Sequence, residues 1–190
     1  MNGDKPKLLL HICCAPDEAY VVNLLKDEYE LHCFFFNPNI YPHSEHQLRL
    51  QEAQKTARHF GTDFSAAPYN PTLWSDAVAG LTDTPEGGQR CRACFLLRLR
   101  HSAQLCSSMG WPSFTTVMSV SPHKNIKLLN ETGAAAAQEY NVMYEPFNFK
   151  KSDGFKKSIV LSKEMGLYRQ DYCGCELSLR EARLRETKRS

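Results

Sequence analysis

The sequence lacks several features that would place it in a class at once. No stretch approaches the roughly 20 consecutive apolar residues of a membrane span. The longest apolar run, residues 8–15, is broken by His11. Residues 1–7 are polar and run straight into a strand-like segment. That is not the pattern of a secretory leader, so a cytoplasmic chain without membrane contact is expected. An excess of one charge is missing as well: 23 Lys+Arg face 21 Asp+Glu, a net of +2. Bulk charge therefore does not recruit nucleic acid, and any basic face must be local. There is no internal repeat, no low-complexity tract and no linker-like break. Also absent are the C-x₂-C-x₂-C-x₃-C-P run of small ferredoxins and a nicotinamide or flavin fingerprint.

What stands out instead is cysteine, with eight in 190 residues. A chain of this size, with 42% apolar residues, does not need disulfide staples. Six of the eight fall in tight pairs: Cys13-Cys14, Cys91-x-x-Cys94 and Cys173-Gly174-Cys175. Adjacent and i,i+2 cysteines rarely bridge each other, because the geometry is strained. Three such pairs in a reducing compartment read as metal ligands. One tetrahedral zinc takes four ligands, and a four-iron cluster takes four thiolates. Six thiolates therefore suggest a cluster plus either a second metal or a redox thiol pair.

The patterning is α/β. Strand signals cover residues 7–13, 29–36, 63–68, 113–120 and 141–147. Helical signals lie between them, over 18–25, 43–60, 72–80, 91–109 and 121–140, the last interrupted at Gly133. Strands alternating with helices predict a doubly wound parallel sheet of about five strands, order 3-2-1-4-5. Residues 1–190 read as a single domain: a 7–147 core and a mainly helical 148–190 extension that carries the last Cys pair, with helices near 155–165 and 177–186. On such a sheet ligands bind beyond the carboxyl ends of the strands, at the switch point. Cys13-Cys14 and Ser121-Pro122-His123-Lys124 would flank it.

On a helix of about 100° per residue, Cys91, Cys94, Arg98 and His101 share one stripe. Leu96, Leu99, Ala103 and Cys106 form another, so Cys106, like Cys33 in a strand, is expected in the core. Two cysteines in a first turn sit at the positive end of the helix dipole, which favours thiolates. Gly174 lets the backbone curl so that Cys173 and Cys175 face one centre. Asp17 reads either as an oxygen ligand or as the N-cap of the following helix. Arg90, Arg92, Arg98 and Arg100 surround a cysteine pair and would place phosphates beside the metal. Two later basic runs, 150–163 and 180–189, read as solvated faces.

Together these residues carry a resemblance. The segments Leu8-Leu9-Leu10-His11-Ile12-Cys13-Cys14-Ala15-Pro16-Asp17 and Phe36-Asn37-Pro38-Asn39-Ile40 resemble the QueH-type epoxyqueuosine reductases. So do Glu86-Gly87-Gly88-Gln89-Arg90-Cys91-Arg92-Ala93-Cys94, Ser121-Pro122-His123-Lys124 and Tyr168-Arg169-Gln170-Asp171-Tyr172-Cys173-Gly174-Cys175. The resemblance implies a fold similar to the HUP/PP-loop ATPases, although Cys13-Cys14-Ala15-Pro16-Asp17 stands where those carry a phosphate loop. It implies reduction of the epoxide of epoxyqueuosine, in a tRNA anticodon loop, to the alkene of queuosine. It further implies a 4Fe-4S cluster beside a mononuclear iron, without cobalamin. By motif match Cys13, Cys14, Asp17, Cys91, Cys94, Cys173 and Cys175 would be ligands. Many relatives have Cys where this chain has Asp17.

Asp17, His123, Lys124 and Tyr172 are the expected catalytic residues, with His11 and Tyr168 as further proton sources. Arg90, Arg98 and His101 are expected to bind substrate. Electrons would come from an external low-potential donor protein. The alternatives are a zinc-stabilised tRNA-binding module and a cluster-dependent tRNA thiolation enzyme of the PP-loop type.

Overall fold

A computed structural model of the chain describes residues 5–187. The first four residues, read as part of the polar lead-in, lie outside them. So do the last three, with Lys188 and Arg189 of the final basic run. Five parallel strands form one sheet in the order β3-β2-β1-β4-β5. They are β1 Lys7–Ile12, β2 Glu30–Phe35, β3 Asp63–Ala66, β4 Ser113–Thr116 and β5 Met143–Tyr144. The helices are α1 Ala15–Leu25, α2 His43–Phe60, α3 Pro71–Ala77, α4 Gln89–Ser108, α5 Ile126–Tyr140, α6 Gly154–Glu164 and α7 Glu176–Thr187. The expected strand order is thus borne out.

β1 is the central strand because both its faces are apolar. Leu8, Leu10 and Ile12 pack with Val21, Val22 and Leu25 of α1, and Phe149 joins them on that face. Leu9 points to the other face, with Phe95, Leu99 and Ala103 of α4 and Leu129 and Ala136 of α5. Each fully buried Leu or Ile contributes roughly 1.5–3 kcal/mol. Cys33 and Cys106 are fully buried as expected. The Cys106 thiol donates towards the Trp111 and Ser113 carbonyls.

Several boundaries differ from the pattern reading, each for a local reason. α1 starts at Ala15 rather than Glu18. Pro16 sits in its first turn and Cys14 is its N-cap, so Asp17 lies inside the first turn and does not cap it. β4 ends at Thr116, whose hydroxyl accepts from the Met118 amide at 3.2 Å and turns Val117–Val120 into a 3₁₀ turn. α5 starts only at Ile126, because the Asn125 side chain accepts from the Leu128 amide and caps it there. Ser121-Pro122-His123-Lys124 consequently stays a loop at the carboxyl edge of β4. Gly133 does not interrupt α5: a Cβ there would fall 2.6 Å from the Tyr144 ring, so glycine is a packing requirement. β5 shrinks to two residues.

Candidate metal centre

The site begins where β1 ends. Cys13 is the first residue past the strand, and Cys14 is extended at φ −164°, ψ 152°, before the chain turns into α1. This sharp strand-to-helix turn brings together side chains that would point to opposite faces of a continuing strand. One helical turn on, Asp17 joins them. The Sγ atoms of Cys13 and Cys14 and a carboxylate oxygen of Asp17 all lie within 4.8 Å of one another. Among the described residues this is the group of His, Cys, Asp or Glu gathered tightly enough for one ion. Two thiolates and a carboxylate suit a borderline metal and leave a coordination position open.

Electrostatics favour a charged trio only in part. The hydrogen bond to Cys14 lowers the Cys13 thiol to about 6 against the pull of burial, aided by Arg98, Arg49 and Lys124. Cys14 is pushed up by that same bond and by burial. Burial first, and then the Cys13 charge, raise Asp17 to about 7. Three acidic groups sharing a dry corner repel one another when ionised, which is the condition a bound cation relieves.

Four more thiols line the neighbouring wall. Cys91 and Cys94 occupy the first turns of α4, and the Gly87 amide donates to Cys91 Sγ at 3.2 Å. The helical projection put the cysteine stripe apart from the core stripe. The structure instead buries both thiols, and Cys91 packs with Phe95 and Leu99, because the 84–88 loop folds back on this end of α4. Cys94 is raised to about 11 by burial. Arg98 opposes that while Cys173, Cys175 and Cys91 add to it, so the other three thiols lie near Cys94. Lys124 Nζ donates to Cys173 Sγ at 2.7 Å. Burial is the largest influence on Lys124 and lowers its pKa, but the charge and hydrogen bond of Cys173, with Glu86 and Cys91, together turn the net shift upward. Cys175 Sγ accepts from the Ser178 amide at 3.4 Å.

The Cys173-Gly174-Cys175 turn is held from behind. Arg49 of α2, 1% exposed, pairs with Glu45 at 2.7 Å and donates to the carbonyls of Cys173 and Tyr172. Gly174 has φ +132°, a conformation L side chains rarely adopt. A Cβ there would also meet Ile40, Arg49 and Asn39 at 3.2–3.3 Å.

A cleft of about 480 Å³ opens above the trio at the switch point. Cys13, Asp17, Arg98, His123, Lys124 and Tyr172 line it. His123 is exposed at the rim. The Tyr172 hydroxyl is turned to the Tyr41 carbonyl, so its ring faces the cleft while its proton is engaged. Arg98 is 2% exposed and donates to Asn37 Oδ1 at 2.6 Å, which fixes its charge among the thiols.

Arg90 and His101 do not line the cleft. Arg90 is buried against Glu181 and the carbonyls of Thr82 and Thr84. His101 stacks on Phe36 at 4.0 Å and donates to the Leu97 carbonyl. Arg92 and Arg100 pair with Glu131 and Glu139 of α5. Fully buried His11 donates to the Phe36 carbonyl and accepts from Thr116. Burial holds its pKa well below the usual value, so it is no proton source. Tyr168 donates to Glu45 at 2.9 Å. Arg49, Arg169 and Gln170 carried no role in the sequence reading. Arg49 is one polar position within a long helix, and Arg169 and Gln170 lie just before the last cysteine pair, so spacing alone does not single them out.

A family model described as epoxyqueuosine reductase QueH matches residues 8–181. Curated proteins named epoxyqueuosine reductase QueH are similar over most of the chain. That of Streptococcus pyogenes is 36% identical over 177 residues, 90% of this chain and 69% of its own. That of Haemophilus influenzae is 38% identical, covering 93% and 73%. That of Thermotoga maritima is 36% identical, covering 93% and 92%. Among solved structures, the U34-tRNA thiolase NcsA from Methanococcus maripaludis, with its [4Fe-4S] cluster, superposes with TM-score 0.58. The two are 13% identical over 97% of this chain and 67% of that one. A predicted tRNA methyltransferase subunit from Methanocaldococcus jannaschii gives 0.53 at 14% identity over 83% and 75%. These two share the fold.

Proposed function

The chain belongs to the epoxyqueuosine reductase QueH family, and from that premise we propose that its cleft works with two metal centres. Cys91, Cys94, Cys173 and Cys175 hold a 4Fe-4S cluster, and Cys13, Cys14 and Asp17 hold a single iron. The protein is an oxidoreductase of tRNA modification, and its substrate is epoxyqueuosine in tRNA. Family membership sets aside the tRNA-thiolation and bare tRNA-binding readings. The observation that carries the two-centre reading is the trio gathered within 4.8 Å at the floor of a cleft, with Cys94 and the three thiols near it beside that floor.

The reaction breaks both C–O bonds of the epoxide and forms a C=C bond. It takes two electrons from an external donor and two protons, and the oxygen leaves as water. When bound, the cluster would supply electrons singly, and an iron with an open position would polarise the epoxide oxygen. The chain's residues do the rest. α1 presents its positive end to the trio, which favours the anionic ligands. Asp17 contributes an oxygen donor without filling the coordination sphere. Lys124, cationic beside Cys173, holds a proton at Nζ on the cleft wall. His123 stands at the rim, where a proton from solvent reaches the cleft. Tyr172 shapes the cleft with its ring, and Arg98 balances the thiolates. The target nucleotide leaves its stack to reach the floor, as base-modifying chemistry requires.

Nucleoside analysis of epoxyqueuosine-tRNA incubated anaerobically with protein and reductant tests the reading. Wild type yields queuosine, and Cys91→Ala and Cys173→Ala lose conversion by more than about 100-fold. Wild-type rates in both variants would overturn it.

A further inference from the structure

Two of the four lysine and arginine side chains lining the cleft are already engaged. Lys124 is held by Cys173 and Glu86, and Arg98 is held by Asn37. Arg169 and Arg185 also line the cleft, and neither forms an ion pair among the described residues. Arg169 Nη1 is sealed from solvent with no hydrogen-bond partner. Its guanidinium lies over the Phe155 ring at 5.5 Å, and Phe155 is itself a cleft residue. That cation–π contact restrains the guanidinium before any ligand arrives. The next residue, Gln170, has a buried and unpartnered Oε1 on the same cleft. Each is unfavourable as it stands, and a modest side-chain movement into the cleft would let a ligand complete it.

The chemistry that completes them is a nucleotide's. A residue of RNA that reaches the cleft floor carries a phosphodiester on each side, and a guanidinium fork matches phosphate oxygens. Its base and ribose offer the N–H and O–H donors that Gln170 Oε1 lacks.

We infer that Arg169 and Arg185 form a backbone-phosphate subsite for the phosphodiester adjoining the modified nucleotide, with Gln170 accepting a hydrogen bond from that nucleotide. The inference rests on the reductase reading, because it needs RNA in the cleft. It replaces Arg90 and His101 with residues that reach the cleft.

The test uses metal-loaded full-length protein and an anticodon stem-loop RNA bearing epoxyqueuosine, with affinity measured anaerobically against salt concentration. Arg169→Gln and Arg185→Gln should each weaken binding about tenfold. Each should also flatten the log Kd against log salt slope by about 0.7, the share of one single-strand phosphate contact. The loss should appear in KM rather than kcat, with iron content and visible spectrum as in wild type. Arg169→Lys should keep the slope but not the affinity. Arg183→Gln, on the same helix but outside the cleft, should change nothing. Unchanged slopes in both Gln variants, with wild type binding and converting the RNA, would overturn the subsite alone. A wild type that converts no RNA would overturn the reductase reading beneath it. Arg185 lies on an exposed helix face, so its variant remains informative if Arg169→Gln does not fold.

Discussion

Asp17 is the residue on which the two-centre account turns. Its carboxyl sits one helical turn from Cys14, and burial with a thiolate neighbour raises it to about 7. On the two-centre proposal Asp17 is a ligand of the single ion. Asp17→Ala should therefore lower iron by about one atom per chain and leave acid-labile sulfide and the cluster's visible spectrum intact. Parallel loss of iron and sulfide would show that Asp17 serves the cluster instead. A second residue-scale prediction concerns pH. His46 is 4% exposed, and burial, with His43 and Arg49, lowers it from 6.5 to about 4. Above about pH 6.5 both folded and unfolded chains hold it neutral. Below that the unfolded chain takes up a proton that the folded chain cannot, so stability falls as pH drops from 6.5 towards 4. The full effect is roughly 3 kcal/mol, and His11 acts in the same direction. His46→Gln should flatten this acid limb in urea titrations, and a slope identical to wild type would count against the linkage.

Among the elements, the turns decide the chemistry, and the helices hold the turns. Arg49 fixes the Cys173-Gly174-Cys175 segment from α2 through two carbonyls. Removing one partner of a buried ionic contact costs about 3–5 kcal/mol. Arg49→Met should thus lower the melting temperature and reduce sulfide content, because the last cysteine pair loses its support. Gly174→Ala should destabilise the protein by about 1–3 kcal/mol through its backbone conformation alone. Full cluster loading at wild-type stability in either variant would refute this support.

Much of this level was legible in the sequence. The α2 boundaries, the strand order and the core placement of Cys33 and Cys106 follow from periodicity and position. What escaped was set by two local side-chain caps and one packing contact: Thr116 turning the end of β4 into a 3₁₀ turn, Asn125 delaying α5, and Tyr144 packing on Gly133. The six paired cysteines were visible as a set. The gathering of Cys13 and Cys14 with Asp17, apart from the other four thiols, was not, because it depends on the turn at Cys14.

For the whole molecule, the parallel sheet opens its switch point where β1 and β4 end. Three segments far apart in sequence deliver their thiols there: the 13–17 turn, the start of α4 and the approach to α7. The near-neutral net charge hides an uneven distribution, because cations gather around the cleft and carboxylates neutralise the arginines of the outer α4 face. The central claim is that the seven donors divide between a cluster and a single ion. Iron and acid-labile sulfide analysis of anaerobically purified wild type tests it most directly. The account predicts about five iron atoms and about four sulfides per chain, whereas zinc without sulfide, or iron only equal to sulfide, would contradict it.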